Sequence, residues 1–344
     1  MTKEQLSKAV RPQFVLVTGG GGFLGRAIVR RLVARDDRVR SFSRSYYPEL
    51  ESIGAEQMQG DIGDATAVAA ACQGVETVFH VAAKPGVWGR YETYYRTNVI
   101  GTRNVITACK TGGVQRLVYT SSPSVVFDET DMEGVDESVS YPGHYLAHYP
   151  KTKAIAEQEV VQTACSKLQT IVLRPHLIWG PEDNHLVPRI IERAKKLRRV
   201  GDGNNRVDTI YIDNAAAAHI LAADRLKSNP ELSGKIYFIS QDDPIPLWDM
   251  VDAILQAAGL DPVRGSIPKG AAWLLGSVLE LIYRTLNLKG EPQMTRFVAK
   301  ELATSHWFDI SAAKSDLGYR PTVSTREGLR RLSEWLQHNK ANNP

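Results

Sequence analysis

From Phe14 to Arg174 short apolar runs alternate with longer stretches of helical pattern. The runs "FVLVT" (14–18), "RVRSF" (38–42), "TVFHVAA" (77–83), "RLVYTSS" (116–122) and "TIVLRP" (170–175) read as strands. The segments between them are long enough for crossover helices, which parallel strands require, so the pattern predicts an α/β fold: a doubly wound parallel sheet with helices on both faces. After Pro175 the alternation loosens, and "TIYIDNAAAAHILAA" (209–223) with "KIYFIS" (235–240) predicts one more helix and strand returning to the sheet. Residues 14–175 and 208–240 are therefore assigned to the sheet domain, and 176–207 with 241–344 to a smaller lobe. No internal repeat or low-complexity segment interrupts this order.

Composition narrows the class. A chain of 344 residues with 23% charged and 43% hydrophobic positions is ordinary for a globular protein with a large core. Its net charge of +4 is too small to argue for nucleic acid. Cys72, Cys109 and Cys165 are odd in number and widely spaced, which points to a reducing compartment rather than a disulfide framework or a zinc site. The start, "MTKEQLSKAVRPQF", has charges throughout and no apolar core, so a secretory leader is not expected and a cytoplasmic location is.

Candidate chemistry begins after the first strand. In "VLVTGGGGFLG", Thr18, Gly19, Gly22, Phe23, Leu24 and Gly25 lie between a strand and a helix. Glycines there allow a tight turn and let a pyrophosphate approach the helix N-terminus, where free N–H groups and the helix dipole favour negative charge. The Gly-x-x-Gly-x-x-Gly spacing resembles the short-chain dehydrogenase/reductase superfamily, and the chain length with a C-terminal lobe resembles its extended branch. That resemblance implies a Rossmann-type sheet and a substrate-binding role for the smaller lobe. Where an acid at the end of the second strand would accept the ribose hydroxyls of NAD, "SFSRS" offers Ser43 and Arg44. An arginine fork suits a 2′-phosphate, so NADP(H) is expected, with NAD(H) as the alternative. Asp61, with Ile62 beside it, resembles the family's adenine-facing acid, and Ala82 and Ala83 in "HVAA" would line the cofactor.

"HYPKTK" (148–153) places Tyr149 four residues before Lys153, with Pro150 suited to a first helical turn. That spacing puts both side chains on one helix face. A phenol with an ordinary pKa near ~10 is a poor acid or base at neutral pH, and a neighbouring ammonium would lower it. Order along the chain decides between chance and chemistry: the glycine run lies upstream, and "LVYTSSPSVVF" intervenes at a strand end. This resembles the Ser…Tyr…Lys set of the same superfamily. The resemblance implies that Tyr149 exchanges a proton, Lys153 supports it and holds the nicotinamide ribose, and Ser122 orients the substrate oxygen, with Ser121 and Ser124 near enough to be confused with it. Asn98 matches an asparagine that is either structural or part of a proton relay. Tyr141 and Tyr145 lack a lysine four residues on and are expected to line the pocket. His144 and His148 share the spacing of a metal pair but have no third ligand, so no metal is expected.

The later segments "LRPHLIWGP", "VGDGNNRVDTIYIDNAAAAHI" and "GKIYFIS" resemble the 3β-hydroxysteroid dehydrogenase and sterol-4α-carboxylate 3-dehydrogenase group. Within it, "AAKPGVWGRYETYY", "RPHLIWGPEDNHLVPR" and "GEPQMTRFVAKELATSHWFDI" resemble bacterial 2-alkyl-3-oxoalkanoate reductases of long-chain olefin biosynthesis. The implied substrate is a large apolar β-keto acid, the implied assembly a homodimer. Ser124, Tyr145, His176 and His185 are candidates to touch that substrate, and Arg174 and Arg189 could also reach a carboxylate, although Arg174 is equally readable as structural. The apolar stretch 269–288 is too short to span a bilayer. Two compatible readings stay open for it: a core-facing helix, or an apolar lid or membrane-surface contact. A contact with a pathway enzyme is a further expectation. The basic run "ERAKKLRRV" (192–200) reads as a solvated face. Rival functions are a sterol dehydrogenase, a nucleotide-sugar epimerase or dehydratase on the same fold, and a non-catalytic NADP-sensing regulator.

Overall fold

The computed structural model describes residues 12–342, with side chains as far as residue 339. The leader reading of residues 1–11 lies outside the described residues. Seven parallel strands form the central sheet: β1 (Phe14–Thr18), β2 (Arg38–Ser43), β3 (Glu56–Gln59), β4 (Thr77–His80), β5 (Arg116–Thr120), β6 (Gln169–Pro175) and β7 (Ile236–Ile239). Their spatial order is β7-β6-β5-β4-β1-β2-β3, a Rossmann-type doubly wound arrangement. Side-chain alternation explains why the runs looked continuously apolar. Val15 and Val17 enter one core and Leu16 the other, as do Ile171 and Leu173 against Val172. Both faces are buried, by α1 (Phe23–Val33) with a helix at Ile212–Ser228 on one side, and by α2 (Gly101–Gly112) and α3 (His148–Thr163) on the other.

The strand at Glu56–Gln59 has no apolar run because it is an edge strand, bonded only to β2 and partly open to solvent. Hydropathy could not mark it. Conversely, "TVFHVAA" ends as a strand at His80, since the chain must leave the sheet there to line the cradle described below.

A second, mixed sheet joins Ile245–Pro246, Arg206–Val207, His306–Phe308 and Met132–Val135. Its last strand comes from the segment between β5 and α3 and pairs in parallel with His306–Phe308. That pairing clamps the loop after β5 to the C-terminal part of the chain.

Candidate active site

The glycine turn is built for close approach. Gly19 sits at φ +69°, where a side chain is strained, and an added Cβ would stand 2.9 Å from the Ala82 Cα. A Cβ on Gly25 would lie 2.1 Å from the Gly19 carbonyl oxygen, so the helix can pack on the turn only without one. No acidic residue and no side-chain cap occupies the first turn of α1, which leaves its N–H groups available to an anion. Leu24 is buried and Phe23 partly so, which leaves their backbone as the polar contribution to the cradle.

Thr18 holds the cradle together. Its hydroxyl accepts from the Ala82 N–H at 3.2 Å and donates to His80 Nδ1 at 2.7 Å. The His80 Nε2–H donates to Thr102 Oγ1 at 3.0 Å, and the Thr102 hydroxyl donates to the Asn98 carbonyl at 2.6 Å. Burial pushes His80 down to about 3, so it is the neutral imidazole this chain of bonds requires. Ser43 Oγ accepts from the Gly21 N–H at 3.0 Å and ties β2 to the loop, while Arg44 beside it is exposed. No carboxylate stands at that strand end. Asp61 accepts from the Gly63 N–H at 2.8 Å and pairs with Arg96 at 3.1 Å; Ile62 is buried against Gly101. Ala83 follows Ala82 along the rim, partly exposed. These groups fit a dinucleotide: a helix terminus with no acid in its first turn, and glycines where a Cβ would clash.

At the start of α3 the phenol and the lysine come together with Ser122. Lys153 is 2% exposed; its Nζ donates to the Thr120 carbonyl at 2.6 Å and lies 4.1 Å from the centre of the Tyr119 ring. Burial lowers it to about 7, against the opposing pull of Glu157. Tyr149 is pushed up to about 12 by burial, with a hydrogen bond from Ser122 acting the other way. This corrects the expectation of a phenol acidified by its neighbour. Desolvation is the largest cause of the shift, and the Lys153 Nζ is directed to the Thr120 carbonyl. Ser122 Oγ lies 2.9 Å from Ser124 Oγ and accepts from the Ser124 N–H at 3.3 Å, which fixes its position. Ser121 is buried without a hydrogen-bond partner for its hydroxyl, so among the three serines Ser122 is the one joined to Tyr149.

Asn98 lies in a π-helical turn, Tyr95–Ile100. Its Oδ1 accepts from the Lys84 N–H at 2.7 Å, and its Nδ2 donates to the Lys84 carbonyl at 3.2 Å and to Thr152 Oγ1 at 3.0 Å. Those bonds fasten the rim of the cradle to the turn of α3 that carries Tyr149.

Several candidates for substrate contact are otherwise engaged. Arg174 is 1% exposed and bidentate to Glu157, at 3.0 and 2.5 Å, which settles it as structural. Glu157 also accepts from the Tyr141 hydroxyl at 2.6 Å. Tyr145 donates to the Val125 carbonyl at 2.9 Å and so braces the turn after Ser122. His176 Nε2–H donates to His306 Nδ1 at 2.7 Å, a direction set by the His306 Nε2–H donating to the Glu301 carbonyl at 3.0 Å. His185 starts the helix Leu186–Arg193, its N–H on Asp183 at 2.7 Å, and no hydrogen bond joins its ring to Tyr149, Ser122 or Lys153. His144 pairs with Glu129 at 3.5 Å while His148 packs on Tyr91 at 5.4 Å, so the two histidines do not share a ligand position.

A cavity of about 10 Å³ lies between Ser124, His176, Glu301 and His306. Burial raises the Glu301 carboxyl to about 8, with Arg189 pulling it down, and its charge is felt by Tyr149. A wider cavity of about 320 Å³ borders the outer side of α1, at Phe23, Arg30, Glu182 and Asp213, away from the catalytic candidates.

Residues 16–268 match the 3-beta hydroxysteroid dehydrogenase/isomerase family. The chain belongs to this family. It is 50% identical to a 2-alkyl-3-oxoalkanoate reductase of Stenotrophomonas maltophilia over 92% of this chain and 98% of that protein. Against a protein of the same name in Shewanella oneidensis the identity is 49%, over 95% and 87%. A mouse sterol-4-alpha-carboxylate 3-dehydrogenase, decarboxylating, is 33% identical over 94% and 90%. Among solved structures, gox2253 (27% identity, TM-score 0.76, 95% and 98% covered) and MoeE5 with UDP-glucose and NAD (25%, 0.72, 95% and 99%) share the architecture. This member of the 3-beta hydroxysteroid dehydrogenase/isomerase family is thus an oxidoreductase of the extended short-chain dehydrogenase/reductase type, a group that works with nicotinamide dinucleotides.

Sequence reasoning missed Glu157, Glu301 and His306. The first had a signal: it continues the four-residue spacing of Tyr149 and Lys153 along one face of α3. The other two come from a segment whose place is set by pairing with Met132–Val135, which no local pattern announces.

Proposed function

We propose that the protein interconverts a ketone and an alcohol at C3 of a long-chain 2-alkyl-3-oxoalkanoate, using NADP(H). A bound nicotinamide dinucleotide supplies the hydride in the direction of reduction. The protein's own part is to hold and move the proton. Tyr149 stays protonated at neutral pH, and an alkoxide forming at C3 is a much stronger base than this phenolate, so transfer from the Tyr149 hydroxyl to that oxygen runs downhill. Ser122, its oxygen held by Ser124, presents a hydroxyl to the same oxygen as charge develops. Lys153, fixed on the Thr120 carbonyl one helical turn on, offsets in its ammonium form the charge of the phenolate left after transfer. The convergence of Ser122, Tyr149 and Lys153 at the mouth of the glycine cradle carries the reaction class.

The substrate class is supported by the two reductases at 50% and 49% identity. Arg189, already paired with Glu291 at 3.2 Å, is the remaining sequence candidate for the carboxylate in this reading. Exposed Arg44, with no acid at the end of β2, supports NADP over NAD. The second reading, a sterol-4α-carboxylate dehydrogenase, draws on the 33% identity to the mouse enzyme.

Nicotinamide absorbance tests both. Purified protein is given NADP⁺ or NAD⁺ with a long-chain 2-alkyl-3-hydroxy acid, a 3β-hydroxysteroid or a nucleotide sugar. The expected result is NADP⁺ reduction by the hydroxy acid, slower by about 10²–10⁴-fold in Tyr149→Phe. Turnover of the steroid alone moves the protein to the sterol branch. Cofactor binding without turnover of any substrate would leave a sensor.

A further inference from the structure

Glu301 ends the helix Arg296–Glu301, and its main chain is engaged: the carbonyl accepts from the His306 Nε2–H at 3.0 Å. Its carboxyl is not. Among the described residues no side chain bonds it, and Arg189, which pulls on it from the helix Leu186–Arg193, is itself paired with Glu291 at 3.2 Å. The carboxyl instead borders the cavity of about 10 Å³, which is room for one water. Pro123, Phe127 and Phe308 form apolar walls, and Ser124 and His176 line the same space. His176 gives its Nε2–H to His306, which leaves its Nδ1 as an acceptor. Serine hydroxyl, carboxyl and imidazole nitrogen are the polar partners that a buried water requires.

Ser124 connects this cavity to the reacting phenol. Its Oγ lies 2.9 Å from Ser122 Oγ, and Ser122 is hydrogen-bonded to Tyr149. That last bond lowers the phenol, so Ser122 is its donor, and the Ser124 hydroxyl can donate to Ser122 in turn. The donors therefore run toward Tyr149. We propose that Glu301 returns to Tyr149, through one water in the cavity and the hydroxyls of Ser124 and Ser122, the proton given up in each reduction. The inference rests on the ketone–alcohol reading above. The phenolate takes the Ser122 proton, Ser122 that of Ser124, Ser124 that of the water, and the water that of the carboxyl. Each O–H bond that breaks is matched by one that forms, and solvent refills the carboxylate, since residue 301 keeps some accessible surface. Oxidation runs the same chain backwards.

The surrounding charges suit the direction. Dense packing raises the Glu301 carboxyl to about 8 and the phenol to about 12, so the proton moves downhill from acid to phenolate. Burial holds His176 and His306 below the ordinary histidine value, hence neutral, although Asp131 acts on His306 the other way. Lys300 turns to Glu129 at 3.7 Å. A charged Glu301 raises Tyr149 further, which couples the two groups directly. Reduction should therefore weaken, and oxidation strengthen, as pH rises through about 8. Lys153 titrates lower, near 7, so its inflection is separate.

The test is the rate of NADP⁺ reduction by a long-chain 2-alkyl-3-hydroxy acid on either side of that pH. The parent's turnover is expected to rise through about 8. Glu301→Gln and Ser124→Ala should both lose this inflection and run slower at the alkaline end by about 10²-fold, the low end for a positioned proton donor or acceptor. Ser124→Ala keeps the backbone N–H that fixes Ser122. Glu301→Asp should keep the inflection, and formate should restore the rate of Glu301→Ala. Circular dichroism melting checks that the variants fold. A Glu301→Gln protein that keeps the inflection, at whatever rate, overturns the relay and leaves the reaction standing. Oxidation of a 3β-hydroxysteroid with the same set of profiles would support the relay while moving the substrate class. No turnover of any alcohol by the parent would remove the reaction and the relay with it.

Discussion

The helix that carries Tyr149 and the helix that carries Trp273 break the ordinary partition of residues in opposite senses. α3 buries Thr152, Lys153 and Glu157 inside the protein, whereas the Lys269–Thr285 helix presents tryptophan, leucine, valine and isoleucine to solvent. On α3 every buried polar group has a partner: Lys153 the Thr120 carbonyl, Glu157 the Arg174 guanidinium, Thr152 the amide of Asn98. On the outer side of the Lys269–Thr285 helix the large apolar groups are left to solvent. A buried polar group is tolerated when the fold answers it, and an exposed apolar face persists when something outside the fold does.

The largest effect on stability is expected at the deepest of these partners. Glu157→Gln leaves the Arg174 guanidinium buried without its counter-charge, which costs about 3–5 kcal/mol. Urea unfolding of the variant against the parent measures it. A loss under about 1 kcal/mol would mean that Arg174 is answered elsewhere and would weaken the contrast between the two helices.

Lys153 sharpens it further. Its folded-state pKa, about 7, lies below its ordinary 10.5, so between these values the unfolded chain binds more protons than the folded one. Stability from this group is therefore fully present above the ordinary value and is lost as pH falls toward about 7. Lys153→Met removes the dependence. The parent is expected to gain on the order of 3 kcal/mol from pH 7 to pH 10 relative to the variant, while the variant loses turnover at every pH. Parallel melting curves for the two proteins across that range would show that the ammonium is not desolvated.

How much of this was legible follows from the same contrast. Six of the seven central strands were visible because both their faces are buried, and the glycine turn, Tyr149, Lys153 and Ser122 because their types and spacing are local. The Glu157–Arg174 pair was not visible as a pair. It joins a helix to β6, and nothing in either segment names the other. The shift of Tyr149 ran opposite to expectation for a related reason: spacing shows that an ammonium is near, but not that a strand-end carbonyl has already taken it. The outer helix could not be placed at all from hydropathy, since a buried face and an exposed apolar face read alike.

The smallest expected effects separate the two sides of that helix. Its inner seam is tight: a Cβ on Gly276 would stand 2.6 Å from the Thr295 carbonyl carbon, and the Arg296 N–H donates to Glu280 at 2.7 Å. Gly276→Ala should therefore destabilise by about 1–3 kcal/mol, although alanine is the better helix former. Leu274→Ser/Leu281→Ser, on the opposite side of the helix, should change the unfolding free energy by no more than about 0.5 kcal/mol per site. Two leucines lost at less cost than one methyl gained is the signature of a face that the folded chain does not use for its own stability. If the leucine pair cost as much as Gly276→Ala, the face would be packing within the protein and the contrast between the two helices would fail.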